Sequence, residues 1–207
     1  MARNRKKEVK VKKMLLTVWF LFLIALAAFG FILYKKRKSI KEDFQFSTRF
    51  SYQTNANQDI NALIITYLNA YASCDQELLK QCVTDPSQFE DMTNVQRQSK
   101  VITAYTNINC YTVSGYDENS TIVYPVTNIS ILDVSSTPLD IPGPFYVVNQ
   151  NGQYLIENGE LSKDVQTYMN KVGQTKDIQE LYETVKKDED KCAAEDPTFK
   201  DFMDRLQ

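Results

Sequence analysis

Histidine is absent from all 207 residues. That removes the side chain most used as general base, and the commonest metal ligand, from any mechanism this chain can run. The four cysteines, Cys74, Cys82, Cys110 and Cys192, contain no C-x-x-C pair. Zinc-ribbon and thioredoxin-type sites are therefore excluded. Positive charge is scarce beyond residue 41: of 24 basic and 26 acidic residues, 12 basic and 25 acidic fall in 42–207. A segment near −13 repels phosphate backbones, so no nucleic-acid partner is expected. No internal repeat or low-complexity tract is present.

What is present begins with an apolar run. Residues Met14 to Tyr34, MLLTVWFLFLIALAAFGFILY, carry no charged side chain over 21 positions. As a helix rising about 1.5 Å per residue, the run spans roughly 32 Å, the thickness of a hydrocarbon core. Seven basic residues precede it and five follow by Lys41. The expectation is a transmembrane helix at 14–34 lying in the lipid bilayer, after a basic cytoplasmic tail at 1–13. A cleaved signal peptide ending at Ala25-Leu26-Ala27 fits less well, because the apolar run continues past the cut. The basic excess before the helix favours a cytoplasmic N-terminus. The remainder is then expected outside the cell membrane, after a juxtamembrane stalk at 35–57.

Helical spacing of Ile60, Leu63, Ile64, Tyr67, Leu68 and Tyr71 predicts an amphipathic helix over 58–72. A short helix from Gln76 to about Val83 follows, capped by Ser73 or Asp75 and closed by Asp85-Pro86. A third helix is expected over 93–104. The pattern then turns to β: Ile108 to Gly115, Thr121 to Leu132 with Pro125 suggesting an edge or bulge, and two short strands around Asn151-Gly152. Helices return at Leu161 to Val172 and through the stripe Ile178, Leu181, Tyr182, Val185 and Cys192. A last one, Phe199 to Leu206, follows Pro197. Runs of helices followed by runs of strands argue an α+β fold.

Two stretches carry a resemblance. Ile60 to Phe89, INALIITYLNAYASCDQELLKQCVTDPSQF, looks like the opening helices of NTF2-like domains, and GPFYVVNQNGQYLIENGELSKDVQTYM, from Gly143, looks like their final hairpin and helix. With the apolar run, the chain is similar to membrane-anchored NTF2-like proteins of Gram-positive bacteria. The resemblance implies a cone of helices packed on a curved antiparallel sheet over 58–172, with a C-terminal helical extension at 173–207. The fold hosts enzymes, ligand binders and assembly modules alike. Anchored relatives in secretion machinery and penicillin-binding proteins act as assembly or spacer parts.

Candidate site residues are few. Asp85, Asp133 and Glu157 read as capping or surface acids, and the run from Lys186 to Lys191 as a solvated helix face. Tyr105, Tyr111, Tyr124, Tyr146 and Tyr154, with Tyr116, can line a ligand cavity or serve as core. Cys74 and Cys82, if joined by a helix, lie about 12 Å apart, too far to bridge. Cys110 with Cys192 can form a disulfide if the last long helix packs on the first strand; buried free thiols are the other reading. Asn119-Ser120-Thr121 and Asn128-Ile129-Ser130 match the glycosylation triplet, which carries no weight in a bacterial protein. No catalytic, cofactor or metal site is expected. The leading expectation is a non-enzymatic interaction or assembly domain at the cell surface, with another envelope protein as the candidate partner. The second is a small-ligand-binding or carboxylate-based enzymatic cone. An open cavity of a few hundred Å³ with a buried acid would favour the second.

Overall fold

The computed structural model describes residues 51–206. The expected tail, transmembrane helix and most of the stalk lie outside these residues. Among the described residues, no helix is long and apolar enough to cross a membrane. The described residues fall in one compact unit. Its fold is α+β: an open antiparallel sheet with helices on both faces.

Strand β1 (Gln53–Thr54) leads into helix α1 (Gln58–Ser73), then α2 (Gln76–Gln81), a 3-10 turn (Pro86–Phe89) and α3 (Thr93–Ser99). The strands β2 (Ile102–Ser114), β3 (Ser120–Ile131), β4 (Leu139–Asp140), β5 (Phe145–Gln150) and β6 (Gln153–Ile156) follow. Helices α4 (Lys163–Gly173), α5 (Lys176–Glu195) and α6 (Pro197–Asp204) close the unit. Strand order is β1-β2-β3-β5-β6, with β4 also paired to β3.

Helix α1 starts where the Asn57 side chain accepts the N–H groups of Asp59 and Ile60 at 3.0 and 3.2 Å, filling two of the donors that a helix start leaves open. Its stripe Ile60, Ile64 and Leu68 is buried against the sheet. Burying each such aliphatic side chain stabilises the unit by about 1.5–3 kcal/mol relative to exposure. Cys74 ends the helix in the left-handed region at φ 58°. Asp75, rather than Ser73, caps α2 by accepting from Leu78 N at 3.0 Å.

Pleat alternation divides the sheet between two layers. Cys110, Val123, Val147 and Ile156 face α1, α2 and the 3-10 turn in one core cluster. Tyr111, Tyr124 and Tyr146 face the other way, towards the layer of buried Val172, Ile178, Leu181 and Val185. There the Tyr124 ring meets that of Tyr182 edge-on at 6.3 Å. The helices after residue 173 are thus part of the unit's packing rather than an appendage. Residues 53–54, expected within the stalk, form an edge strand paired with Thr112 and Tyr111.

Three expectations need correction. The helix foreseen over 93–104 stops at Ser99, because Ile102 and Ala104 enter the β2–β3 ladder opposite Ile131 and Ser130. The strand foreseen from Ile108 accordingly starts at Ile102. Pro125 is on an interior strand, not an edge. It sits where the neighbour of β3 changes from β5, paired at 120–123, to β4, paired at 127–128. Between the two no ladder partner calls for the missing N–H. The hairpin foreseen at Asn151-Gly152 forms, with both residues at positive φ, 54° and 91°.

Candidate functional site

A cavity of about 690 Å³ opens where the α1 face of the sheet meets the C-terminal helices. Helix α1 contributes Tyr67, Leu68 and Tyr71, and α3 contributes Arg97 and Gln98. Ile102 and Tyr105 come from β2, and Ile129 and Ile131 from β3. Pro138, Asp140 and Pro142 belong to the loop around β4, while α5 adds Glu189 and α6 adds Phe199, Phe202 and Met203. The volume lies within the range of sites that enclose a small molecule, roughly 300–1,000 Å³.

Local structure holds the walls in place. Tyr67 packs edge-on to Phe145 at 5.3 Å and to Phe89 at 6.4 Å, tying the middle of α1 to the sheet and the 3-10 turn. The Tyr71 hydroxyl donates to Gln98 Oε1 at 2.6 Å, joining α1 to α3 across the rim. Asp196 caps α6: its carboxylate accepts from Thr198 N at 2.8 Å and Thr198 Oγ1 at 2.6 Å. It also accepts from Ser136 N at 2.7 Å, linking the helix start to the loop before β4. These bonds hold its carboxyl far below the usual carboxylate range, the Thr198 hydroxyl contributing most. Asp188 Oδ2 accepts from Leu139 N at 2.8 Å, which fixes α5 to β4 and brings Glu189 to the wall.

The polar groups of the lining are two carboxylates and three tyrosines, with Arg97 and Gln98 at the rim. Burial pushes the Asp140 carboxyl above its ordinary value, against a backbone bond from Ile141 that lowers it. Glu189 is raised too, by burial first and then by the charge of Asp140. The Tyr105 hydroxyl is pushed up to about 12 by burial, then by Asp140 and Tyr71. Two acids and a tyrosine therefore share one poorly solvated space. Among the described residues no group of three or more Cys, Asp and Glu is placed to hold a metal ion.

Of the five tyrosines expected to line a pocket, only Tyr105 does so. A register shift between Thr106 and Asn109, with Asn107 at φ 52°, puts an irregularity between Tyr105 and Tyr111. It reverses the pleat, so Tyr111 points to the opposite layer and stacks edge-on with Tyr52 at 4.8 Å. Tyr124, opposite Tyr111, shares that face. Tyr146 also lies there, donating to Ser120 Oγ at 2.8 Å. Tyr154 is on the cavity's face of the sheet but at its far end, where its hydroxyl accepts from Asn57 Nδ2 at 3.1 Å.

The remaining candidates are structural. Asp85 caps the 3-10 turn through Ser87, and Glu157 accepts from Thr84 Oγ1 at 2.7 Å. Asp133 lines a second, more open depression with Thr198 and Asp201. Cys110 and Cys192 do not pair; all four cysteines are free thiols. Cys110 is fully buried in the core cluster under α1, while the Cys192 thiol lies beside Asp188 at 3.9 Å. In the first glycosylation triplet, Asn119 is exposed in a turn. In the second, Asn128 is committed to internal bonds with Asn107 and Thr137.

Sequence reasoning missed Asp140, Glu189 and Arg97. Glu189 sits in the charged run taken for a solvated face. Its signal was one acid on the same helical stripe as Val185 and Cys192. No family model, curated protein or solved structure matches the chain.

Proposed function

We propose that residues 51–206 form a small-ligand-binding domain of the NTF2-like kind, displayed outside the cell on a membrane anchor at 14–34. The domain holds its ligand rather than transforming it. One observation carries this reading: an open cavity of about 690 Å³ with aromatic and aliphatic walls and a largely desolvated acid, Asp140, inside. Such a site fits a compact apolar or aromatic molecule with one polar end. The order of helices before strands, with α1 laid on one face of the sheet, supports the NTF2-like reading. The uncharged 21-residue run with basic flanks supports the anchor.

The second reading is an assembly domain for another envelope protein. It draws on exposed Val101, Leu132 and Leu206, of which Val101 and Leu206 belong to the cavity's lining. A site-resolved titration separates the two. The full chain, in lipid nanodiscs with labelled Ile and Leu methyls, is titrated with 2-phenylethanol and followed by NMR. Ligand binding moves the methyls of Leu68, Ile102, Ile129 and Ile131 saturably and leaves those of buried Ile178 and Leu181 in place. No saturable shift at the four cavity methyls, with this probe or with its charged-end analogues, would remove the ligand-binding reading.

A further inference from the structure

The charge inside the cavity is more specific than its shape. Glu189 from α5 and Asp140 from β4 face the same space, and the charge of Asp140 adds to the cost of ionising Glu189. Among the described residues neither forms an ion pair. The nearby cations are engaged elsewhere or sit outside. Arg97, on the rim, donates to Asn94 Oδ1 at 3.1 Å from an exposed position on α3. Lys186, one turn before Glu189, eases its ionisation in part but pairs with Asp190 at 3.5 Å on the outer face of α5. Asp188 is taken up by the Leu139 N–H. The walls around the two acids carry the rings of Tyr67, Tyr71 and Tyr105, whose faces attract cations when water is excluded. A folded cavity that gathers two carboxylates, neither of them paired with Arg97 on its rim, is complementary to a positive guest.

We infer that the natural ligand is an organic amine, an apolar or aromatic body bearing one ammonium group, with Asp140 and Glu189 as its counter-charge and the tyrosine rings around it. This rests on the ligand-cavity reading above and gives it a ligand class. The ammonium donates hydrogen bonds to the two carboxylates, and the body replaces water against Ile102, Ile129 and Phe202.

The test uses three probes with the same ring and different ends: phenethylamine, 2-phenylethanol and 3-phenylpropanoate. Each is titrated into the full chain in phosphatidylcholine nanodiscs, with the Ile129 and Ile131 methyls as the site-specific readout. The expected order is amine over alcohol by about tenfold, as a charge-assisted bond in a poorly solvated site gives, with the carboxylate weakest. In Asp140→Asn and Glu189→Gln the amine-to-alcohol ratio falls towards one. If the carboxylate or the alcohol binds as tightly as the amine, or the ratio is unchanged in both variants, the amine assignment is overturned and the cavity reading stands. If none of the three shifts the cavity methyls, the cavity reading fails and the assignment falls with it.

Discussion

Tyr124 offers a test in which one atom sets the sign. Its side chain is 1% exposed on the α5 side of β3. Its hydroxyl is buried and has no hydrogen-bond partner among the described residues. Gly173 lies beside it: a methyl added there would sit 3.6 Å from the oxygen, in ordinary van der Waals contact. A hydroxyl taken from water without a partner costs about 1–3 kcal/mol, and burial first, then Tyr182, raises its pKa strongly. Tyr124→Phe removes the oxygen and keeps the ring against Tyr182. The expected result is a gain of about 1 kcal/mol, or roughly 2–4 °C in Tm for a unit of this size. Tyr146 is the internal control. It shares the same face, but its hydroxyl donates to Ser120 Oγ at 2.8 Å. Tyr146→Phe is therefore expected to lose about 1 kcal/mol. Urea unfolding of both variants, followed by the near-ultraviolet circular dichroism of the tyrosines, gives the two changes on one scale. A loss of stability in Tyr124→Phe equal to that in Tyr146→Phe would refute the reasoning, because it would mean that the Tyr124 hydroxyl is paired, through a buried water, as well as its neighbour.

Two further outcomes are expected. The Asp196 carboxyl is depressed by its Thr198 and Ser136 bonds, so its contribution is complete above the unfolded carboxylate range, near pH 4, and is lost as pH falls through the lower folded value. Acid titrations of stability should therefore show a shallower acid limb in Asp196→Asn than in the parent chain, and equal limbs would remove Asp196 from the account. Thiol labelling at pH 8 should modify half-buried Cys74 and Cys192 while sparing Cys82 and Cys110, since Cys110 is 0% exposed and burial pushes its thiol up to about 11; rapid loss of the Cys110 thiol, read by mass spectrometry of peptides, would contradict the packing under α1.

Much of the architecture was legible because it rests on local rules. The stripe Ile60, Ile64 and Leu68 has one period and one cap, and Asn151-Gly152 permits few turns other than a hairpin. The helix after Met92 was read too long because no glycine or proline marks its end. What stops it is the pairing of Ile102 with Ile131, a partner that lies far along the chain. The site was the least legible part for a related reason. Tyr105 and Tyr111 are six residues apart, an even spacing that promises one shared face, and the irregularity after Thr106 breaks that promise. Asp140 comes from a proline-bounded loop and Glu189 from a charged helix, and tertiary bonds such as that from Leu139 N to Asp188 bring these two segments together. Neither residue belongs to a motif, so nothing short of the fold assembles them.

The place where Pro125 lets β3 exchange one neighbour for another divides the labour of β2 and β3. Before it, Ile122 and Val123 are wholly enclosed and bear the weight of the domain. After it, Ile129 and Ile131 line the cavity wall. Under the ligand-binding proposal, a lineage carrying this arrangement can revise what it accepts by changing residues on the second half, while the first half keeps the chain folded through each trial.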